Sequence, residues 1–219
     1  MRLLVLSDIH ADPHGLGLVL EAAGEAGWDR LVLLGDLIGY GDRPAETLEI
    51  LDRFEPLVSI GGNHELMLAR LRADGQLQAA ADVVAPLQRC LEELSEAQLD
   101  MLESLPDHAA GDGWQAWHGS PASRFGYMLS PVEVRRFDAQ FAGTVTLSGH
   151  SHVPGAFVRA EGGRWQVRPA RREVHAFELP ESGALLNPGS VHANRDAAGG
   201  RSFGILDTEQ RIFTVQRLN

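Results

Sequence analysis

The sequence predicts an α/β chain that pairs its early strands in parallel and its late strands antiparallel. Three observations predict this. Apolar runs of four residues alternate with amphipathic helical stretches up to residue 60, a pattern that requires crossover connections. Short polar motifs follow those runs abruptly, as strand-end loops do. After residue 152, apolar stretches succeed one another with no helix between them, as in hairpins.

Residues 3–6 read as a first strand, buried on both faces. Residues 15–26 read as a helix with Leu16, Val19, Leu20 and Ala23 on one side. Residues 31–34 are a second buried strand, stopped by Gly35. Pro44 opens the next helix, since proline suits the first turn, and Leu48, Leu51 and Phe54 form its stripe. Residues 57–60 are a third strand, stopped by Gly61-Gly62. Residues 66–105 are helical, with a break near Asp74-Gly75 and a start or kink at Pro86. Ser95-Glu96-Ala97-Gln98 fits a capping box, in which hydroxyl and amide each satisfy a free backbone N–H. Residues 114–117 form a strand leading to His118, 131–141 a helix, and 144–147 a strand leading to Gly149. Further strands are expected at 156–158, 165–167, 174–177, 184–186, 203–206 and 212–215. With no repeat, linker or low-complexity segment, residues 1–219 read as one domain.

The apolar fraction of 44% and charged fraction of 22% are those of a soluble globular protein. A net charge of -11 argues against nonspecific nucleic-acid binding, which needs basic surface. It leaves room for a small phosphate substrate, because bound metals reverse charge locally. Cys90 stands alone, so no intramolecular disulfide forms, and a buried inert thiol is expected. The apolar start is too short for a signal peptide or a membrane span, so no membrane partner is expected and a cytoplasmic location is the default expectation. The oligomeric state is open.

Five polar motifs are expected to end strands: Asp8-Ile9-His10, Gly35-Asp36, Gly62-Asn63-His64-Glu65, His118-Gly119 and Gly149-His150-Ser151-His152. Singly, an Asp after a strand is a turn residue or cap, and a buried His is hydrogen-bonded structure. As a set they supply two aspartates, an amide oxygen and several imidazoles, the mixed N/O donors of a pair of divalent metals. Ligand sites in open α/β sheets lie beyond the carboxyl ends of strands, so convergence is expected. Asp8 and His10, two apart, share one side if the backbone stays extended. A bridging carboxylate and few other negative ligands would leave the metals positive enough to bind phosphate.

These motifs resemble those of the calcineurin-like metallophosphoesterase superfamily, and its small bacterial and archaeal branch of single-domain phosphodiesterases. The similarity runs nearly the full length and takes in Gly39-Tyr40-Gly41 and Asn187-Pro188-Gly189-Ser190 with Arg195-Asp196. It implies a four-layer αββα sandwich with two mixed β-sheets, the metallo-dependent phosphatase-like fold. It also implies that Asp8, His10 and His152 bind one metal, Asn63, His118 and His150 a second, and that Asp36 bridges them. A metal-bridging hydroxide, between ions roughly 3.5–4 Å apart, would attack a small phosphodiester in line. His64 is the implied catalytic residue, holding the phosphate or protonating the leaving group. Manganese is the expected metal, and iron, zinc, nickel or cobalt suit the same donors.

Gly39-Tyr40 stands where the eukaryotic Ser/Thr phosphatases have an Asp-Arg pair, so that carboxylate and that phosphate-clamping arginine are missing. Asp42 and Glu65 are candidates for orienting His64, with Glu65 equally placed to cap a helix. Arg43 and Arg195 are candidates for a phosphate contact, and Tyr40, His192 and Arg195 make up the expected substrate-binding set. Phe125 and Tyr127 are placed either to stack on an aromatic leaving group or to pack under their loop. The alternatives are a dinucleoside polyphosphate hydrolase or phosphomonoesterase, and an inactive scaffold of the same fold. The scaffold precedent, the superfamily's retromer subunit, lacks the catalytic histidine that is present here as His64.

Overall fold

The computed structural model describes residues 1–219. Strands and helices alternate at first: β1 (Arg2–Leu6), α1 (Pro13–Ala26), β2 (Arg30–Leu33), α2 (Pro44–Leu51) and β3 (Val58–Ser59). Three helices follow, α3 (Asn63–Asp74), α4 (Ala81–Glu93) and α5 (Glu96–Ser104). Next come β4 (His108–Gly111), β5 (Trp114–Trp117), α6 (Pro131–Arg135), α7 (Asp138–Phe141) and β6 (Val145–Ser148). The chain ends in β7 (Gly155–Arg159), β8 (Trp165–Pro169), β9 (Val174–Glu178), β10 (Ala184–Asn187), β11 (Arg201–Asp207) and β12 (Ile212–Leu218).

Two six-stranded sheets result, ordered β3-β2-β1-β11-β12-β9 and β4-β5-β6-β10-β7-β8. Both are mixed. The β1–β2, β2–β3, β5–β6 and β6–β10 pairs are parallel, and the others are antiparallel.

The period-2 alternation of strand side chains sorts the apolar residues into layers. Leu4, Leu6, Leu31 and Leu33 face helices α1 to α5, where Leu16, Val19, Leu48, Leu68, Leu87 and Leu102 complete a core. Leu3, Val5, Val32 and Leu34 point the other way, onto Ala116, Val145, Leu147, Leu186 and Phe213 between the sheets. A thinner core of Val134, Phe141, Phe157, Trp165 and Leu185 lies under α6 and α7. This is the four-layer αββα sandwich expected.

Four details differ from the sequence reading. Helix α3 starts at Asn63, so Asn63, His64 and Glu65 form its first turn instead of a loop. The helix expected over 131–141 is two short ones, because Phe137 leaves helical geometry at φ -113, ψ 22. Strand β4 was not foreseen, since His-Ala-Ala-Gly carries no β-branched residue. Residues 57–60 keep only the two-residue ladder of β3. The capping box at Ser95 is present, and Pro86 lies inside α4. No helix is long and apolar enough to cross a membrane.

Candidate metal centre

The loops after β1, β2, β5 and β6 and the first turn of α3 bring their polar motifs to one place. They do so through strained backbone. Asp8, His10, Ala11, Asp36, Tyr40, His150 and His152 all have left-handed φ, between 46° and 62°; only Arg211 does so elsewhere among non-glycine residues. Asp8 and His10 therefore do not share a side by extended geometry, as their spacing suggested. Such conformations each cost about 1–3 kcal/mol and persist only where surrounding structure enforces them.

Here backbone bonds between loops enforce them. Asp8 N donates to Gly35 O at 3.1 Å, His10 N to Asp36 O at 2.9 Å, and Gly41 N to His10 O at 2.9 Å. The Asn187-Pro188-Gly189-Ser190 turn braces the rest. Ser190 Oγ donates to Asp8 O at 2.8 Å, and Asn187 Nδ2 to Gly149 O at 2.8 Å. Sequence reasoning noted this turn without giving it a role; its proline-glycine pair was the available signal.

Six of the seven expected donors fall into two triplets, and His10 and Asp36, one from each, also group with His64. Asp8, His10 and His152 offer one ligand atom each within 4.8 Å of one another, as do Asp36, His118 and His150. Asn63 Oδ1 lies 3.2 Å from His118 Nε2. Asp8 Oδ2 is satisfied by Ser7 Oγ at 2.7 Å and His150 N at 3.0 Å, which leaves Oδ1 buried with no hydrogen-bond partner, 3.1 Å from His152 Nε2. Asp36 divides its oxygens similarly. Oδ1 accepts from His64 N at 2.9 Å, while Oδ2 sits 3.3 Å from His118 Nε2 and 3.8 Å from His10 Nε2.

Three imidazoles follow one rule. Nδ1 of His10, His118 and His152 meets the carbonyl of Ile38 at 3.2 Å, Leu34 at 2.6 Å and Ala193 at 2.8 Å. A proton on Nδ1 leaves the Nε2 lone pair aimed inward whenever the ring is neutral, the arrangement in which proteins present histidine to a metal. His150 Nε2 is also buried without a partner. Orphaned atoms of this kind are what a bound cation would satisfy, so the donor set fits divalent metal.

The charges agree. Burial alone would raise Asp8 and Asp36; the histidines around them, His152 for Asp8 and His118 for Asp36, outweigh it and hold both carboxyls well below the usual range. Burial pushes His10 down to about 3, and burial with His118 nearby pushes His150 down to about 4, so both are neutral donors at pH 7. Burial opposes the proton on His118 too, but Asp36 and Asp8 prevail and raise it to about 9.

His64 is built differently. Its Nε2 is 3.9 Å from Asp36 Oδ2, and donor geometry alone also groups it with His10 and Asp36. Yet its Nδ1 is buried with no carbonyl to meet. It faces Gly39, where a Cβ would overlap the ring, so this position must be glycine. The two expected orienting carboxylates do other things. Asp42 is exposed. Glu65 is buried and accepts from the backbone N–H of Asp36 at 2.9 Å, Leu37 at 2.8 Å and Gly62 at 2.6 Å. It caps α3 and fixes the Asp36 loop in one grip.

A cavity of about 200 Å³ opens over the cluster, lined by Asp36, Asn63, His64, His150 and His152 on one side and by Met67, Val83, Phe125 and Tyr127 on another. Tyr40 and Arg195 also line it. His192 does not; its Nδ1 meets Asp12 Oδ2 at 3.2 Å, beside the His10 ring. Arg43 is exposed and ion-paired with Glu46. A larger groove, about 970 Å³ between the β8 and β9 edges, contains none of the clustered donors.

A model of the calcineurin-like phosphoesterase superfamily domain matches residues 1–211. The crystal structure of a metallophosphoesterase from Sphaerobacter thermophilus is 29% identical, with a TM-score of 0.82 over 100% of this chain and 89% of that chain. A hypothetical protein from Pyrococcus horikoshii OT3 has the same fold at 18% identity, TM-score 0.74, over 99% of this chain and 87% of that one. An uncharacterized protein of Methanocaldococcus jannaschii is 28% identical over 220 positions, 98% of this chain and 86% of that protein. With the family model running from the first residue to within eight of the last, the chain belongs to the calcineurin-like phosphoesterase superfamily, metal-dependent hydrolases of phosphate esters.

Proposed function

We propose that this chain, residues 1–219 acting as one domain, is a dinuclear phosphodiesterase that hydrolyses small phosphodiesters with manganese as its preferred metal. Asp8, His10 and His152 would hold one ion, Asn63, His118 and His150 the other, and Asp36 both. When bound, the pair would polarise the phosphoryl oxygens and acidify the attacking water. The observation that carries this reading is Asp36 Oδ2, which faces imidazoles of both groups, His118 at 3.3 Å and His10 at 3.8 Å.

His64 would act on the substrate itself. Burial lowers its pKa, so it is a neutral imidazole at pH 7. A neutral ring holds a phosphoryl or leaving oxygen through its N–H; it is a weaker source of a full proton.

The cavity favours a diester. A monoester carries about -1.5 to -2 charge at neutral pH, whereas a diester carries a single charge and a second organic group. The lining matches the second description, with one cation, Arg195, among Met67, Ala79, Val83, Phe125 and Tyr127. At about 200 Å³ the space is also smaller than the roughly 300–1,000 Å³ typical of sites for drug-sized ligands, which disfavours a dinucleoside polyphosphate.

The test compares Mn²⁺-loaded and chelated protein on bis(p-nitrophenyl) phosphate, p-nitrophenyl phosphate and diadenosine tetraphosphate. Metal-dependent turnover should be fastest on the diester. His64→Ala should lower kcat about a hundred- to ten-thousand-fold. Absence of metal-dependent turnover on all three would refute the assignment, and a faster monoester or polyphosphate would transfer it to that class.

A further inference from the structure

Arg195 stands out from the other cations of the molecule. The 19 basic residues are all arginines, and only this one lines the cavity over the donor cluster. It has no carboxylate partner; the adjacent Asp196 is gripped by Arg217 at 2.9 and 2.7 Å. The backbone around it is fixed. Arg195 N donates to the His152 carbonyl at 2.9 Å, and Asn194 Oδ1 accepts from Ser190 N at 2.9 Å and Ser202 Oγ at 3.0 Å.

The chain contains two tyrosines, Tyr40 and Tyr127, and both meet this guanidinium. Nη2 reaches Tyr40 Oη and Nη1 reaches Tyr127 Oη, each at 3.4 Å, and Arg195 Cζ lies 5.7 Å from the Tyr40 ring centroid. Tyr40 packs at 4.7 Å against both His10 and His64, and Tyr127 stacks on His150 at 4.2 Å. Each tyrosine thus joins the arginine to the donor cluster. Bonds of 3.4 Å are at the weak limit, so they orient the fork without using up its five N–H donors.

Resting on the phosphodiesterase reading, we propose that Arg195 is the substrate-phosphate clamp of this enzyme, taking a non-bridging oxygen of a singly charged phosphodiester between the braced fork and the metal centre. It supplies from the loop after β10 the contact that the missing Asp-Arg pair would have provided. A lone guanidinium in a fixed fork suits one charge delocalised over two non-bridging oxygens.

The test uses Mn²⁺-loaded full-length protein with Arg195→Gln, Arg195→Lys and Tyr127→Phe. The readouts are orthophosphate affinity by titration calorimetry, kcat and KM for bis(p-nitrophenyl) phosphate, and the melting temperature. Arg195→Gln should weaken orthophosphate binding and raise KM by about tenfold or more, with a smaller fall in kcat and an unchanged melting temperature. Arg195→Lys should recover part of the loss, and Tyr127→Phe should raise KM about two- to fivefold. Orthophosphate affinity and KM of Arg195→Gln within twofold of wild type would overturn the clamp while leaving the phosphodiesterase assignment standing. If wild-type protein turned over no ester, orthophosphate affinity alone would decide. A tenfold loss would sustain an anion clamp without the diesterase reading, and an unchanged affinity would remove both.

Discussion

His118 shows how strongly single residues feel this cluster. Its neighbours Asp36 and Asp8 hold it protonated up to about 9 against the cost of burial, while burial keeps His10 neutral down to about 3 and His150 to about 4. A metal on His118 would take the Nε2 lone pair, so its binding would expel the His118 proton. Metal titration of chelated protein near pH 8 should release about one proton per chain, and release should fall to about half a proton near pH 9 and fade by about pH 10. Calorimetry in buffers of different ionisation enthalpy measures this; proton release that does not vary between pH 7 and 10 would contradict it. The sign for stability follows from the same shift. His118 is raised above its ordinary 6.5, so its contribution to the metal-free fold is complete below that pH and lost as pH rises through about 9. Asp8 and Asp36 are lowered, so theirs is present above about 3.8 and lost as acid protonates them.

At the scale of elements, Glu65 couples helix α3 to the loop after β2. Its two oxygens collect the N–H groups of Gly62, Asp36 and Leu37, with Ile38 at 3.4 Å. Burial, with Asp36 close by, raises its pKa to about 6, so it is still ionised at pH 7.5. Glu65→Gln keeps the volume but replaces one accepting oxygen with an NH₂ facing N–H donors. It should destabilise the protein by about 2–3 kcal/mol in urea denaturation. It should also weaken Mn²⁺ binding about ten- to a hundredfold, because Asn63 and Asp36 lose a common anchor. Wild-type metal affinity in this variant would refute the coupling. The sequence showed this element only in part. Gly-Asn-His-Glu announced a helix near Glu65, but the apolar stripe starts at Leu66, so periodicity placed the first turn three residues late. Strand β4 was invisible for a related reason: its residues have no strand preference, and pairing with β5 is what orders them.

For the whole molecule, the donors divide between the sheets. Asp8, His10, Asp36 and Asn63 come from the β3-β2-β1 side, and His118, His150 and His152 from the ends of β5 and β6. Metal held by both sets would therefore cross-link two layers that otherwise meet through the apolar core of Leu3, Val5, Leu147 and Phe213. Chelation should lower the melting temperature, and added Mn²⁺ should restore it, stabilising the fold by about 2.7 kcal/mol per site at a hundred times Kd. A melting temperature indifferent to metal would mean that the cluster holds none.

The sequence by itself determined the order and kind of most elements and the inventory of two aspartates, an amide and the imidazoles, because apolar runs and polar motifs are local properties of the chain. Only the tertiary structure decided how that inventory is used. Asp8 meets His150 across 142 residues, through left-handed turns that no local preference favours and that bonds between loops must hold. It also decided that Glu65 serves backbone amides while both tyrosines serve Arg195. Such assignments depend on which groups lack partners once the chain is packed, and packing is a property of the whole fold.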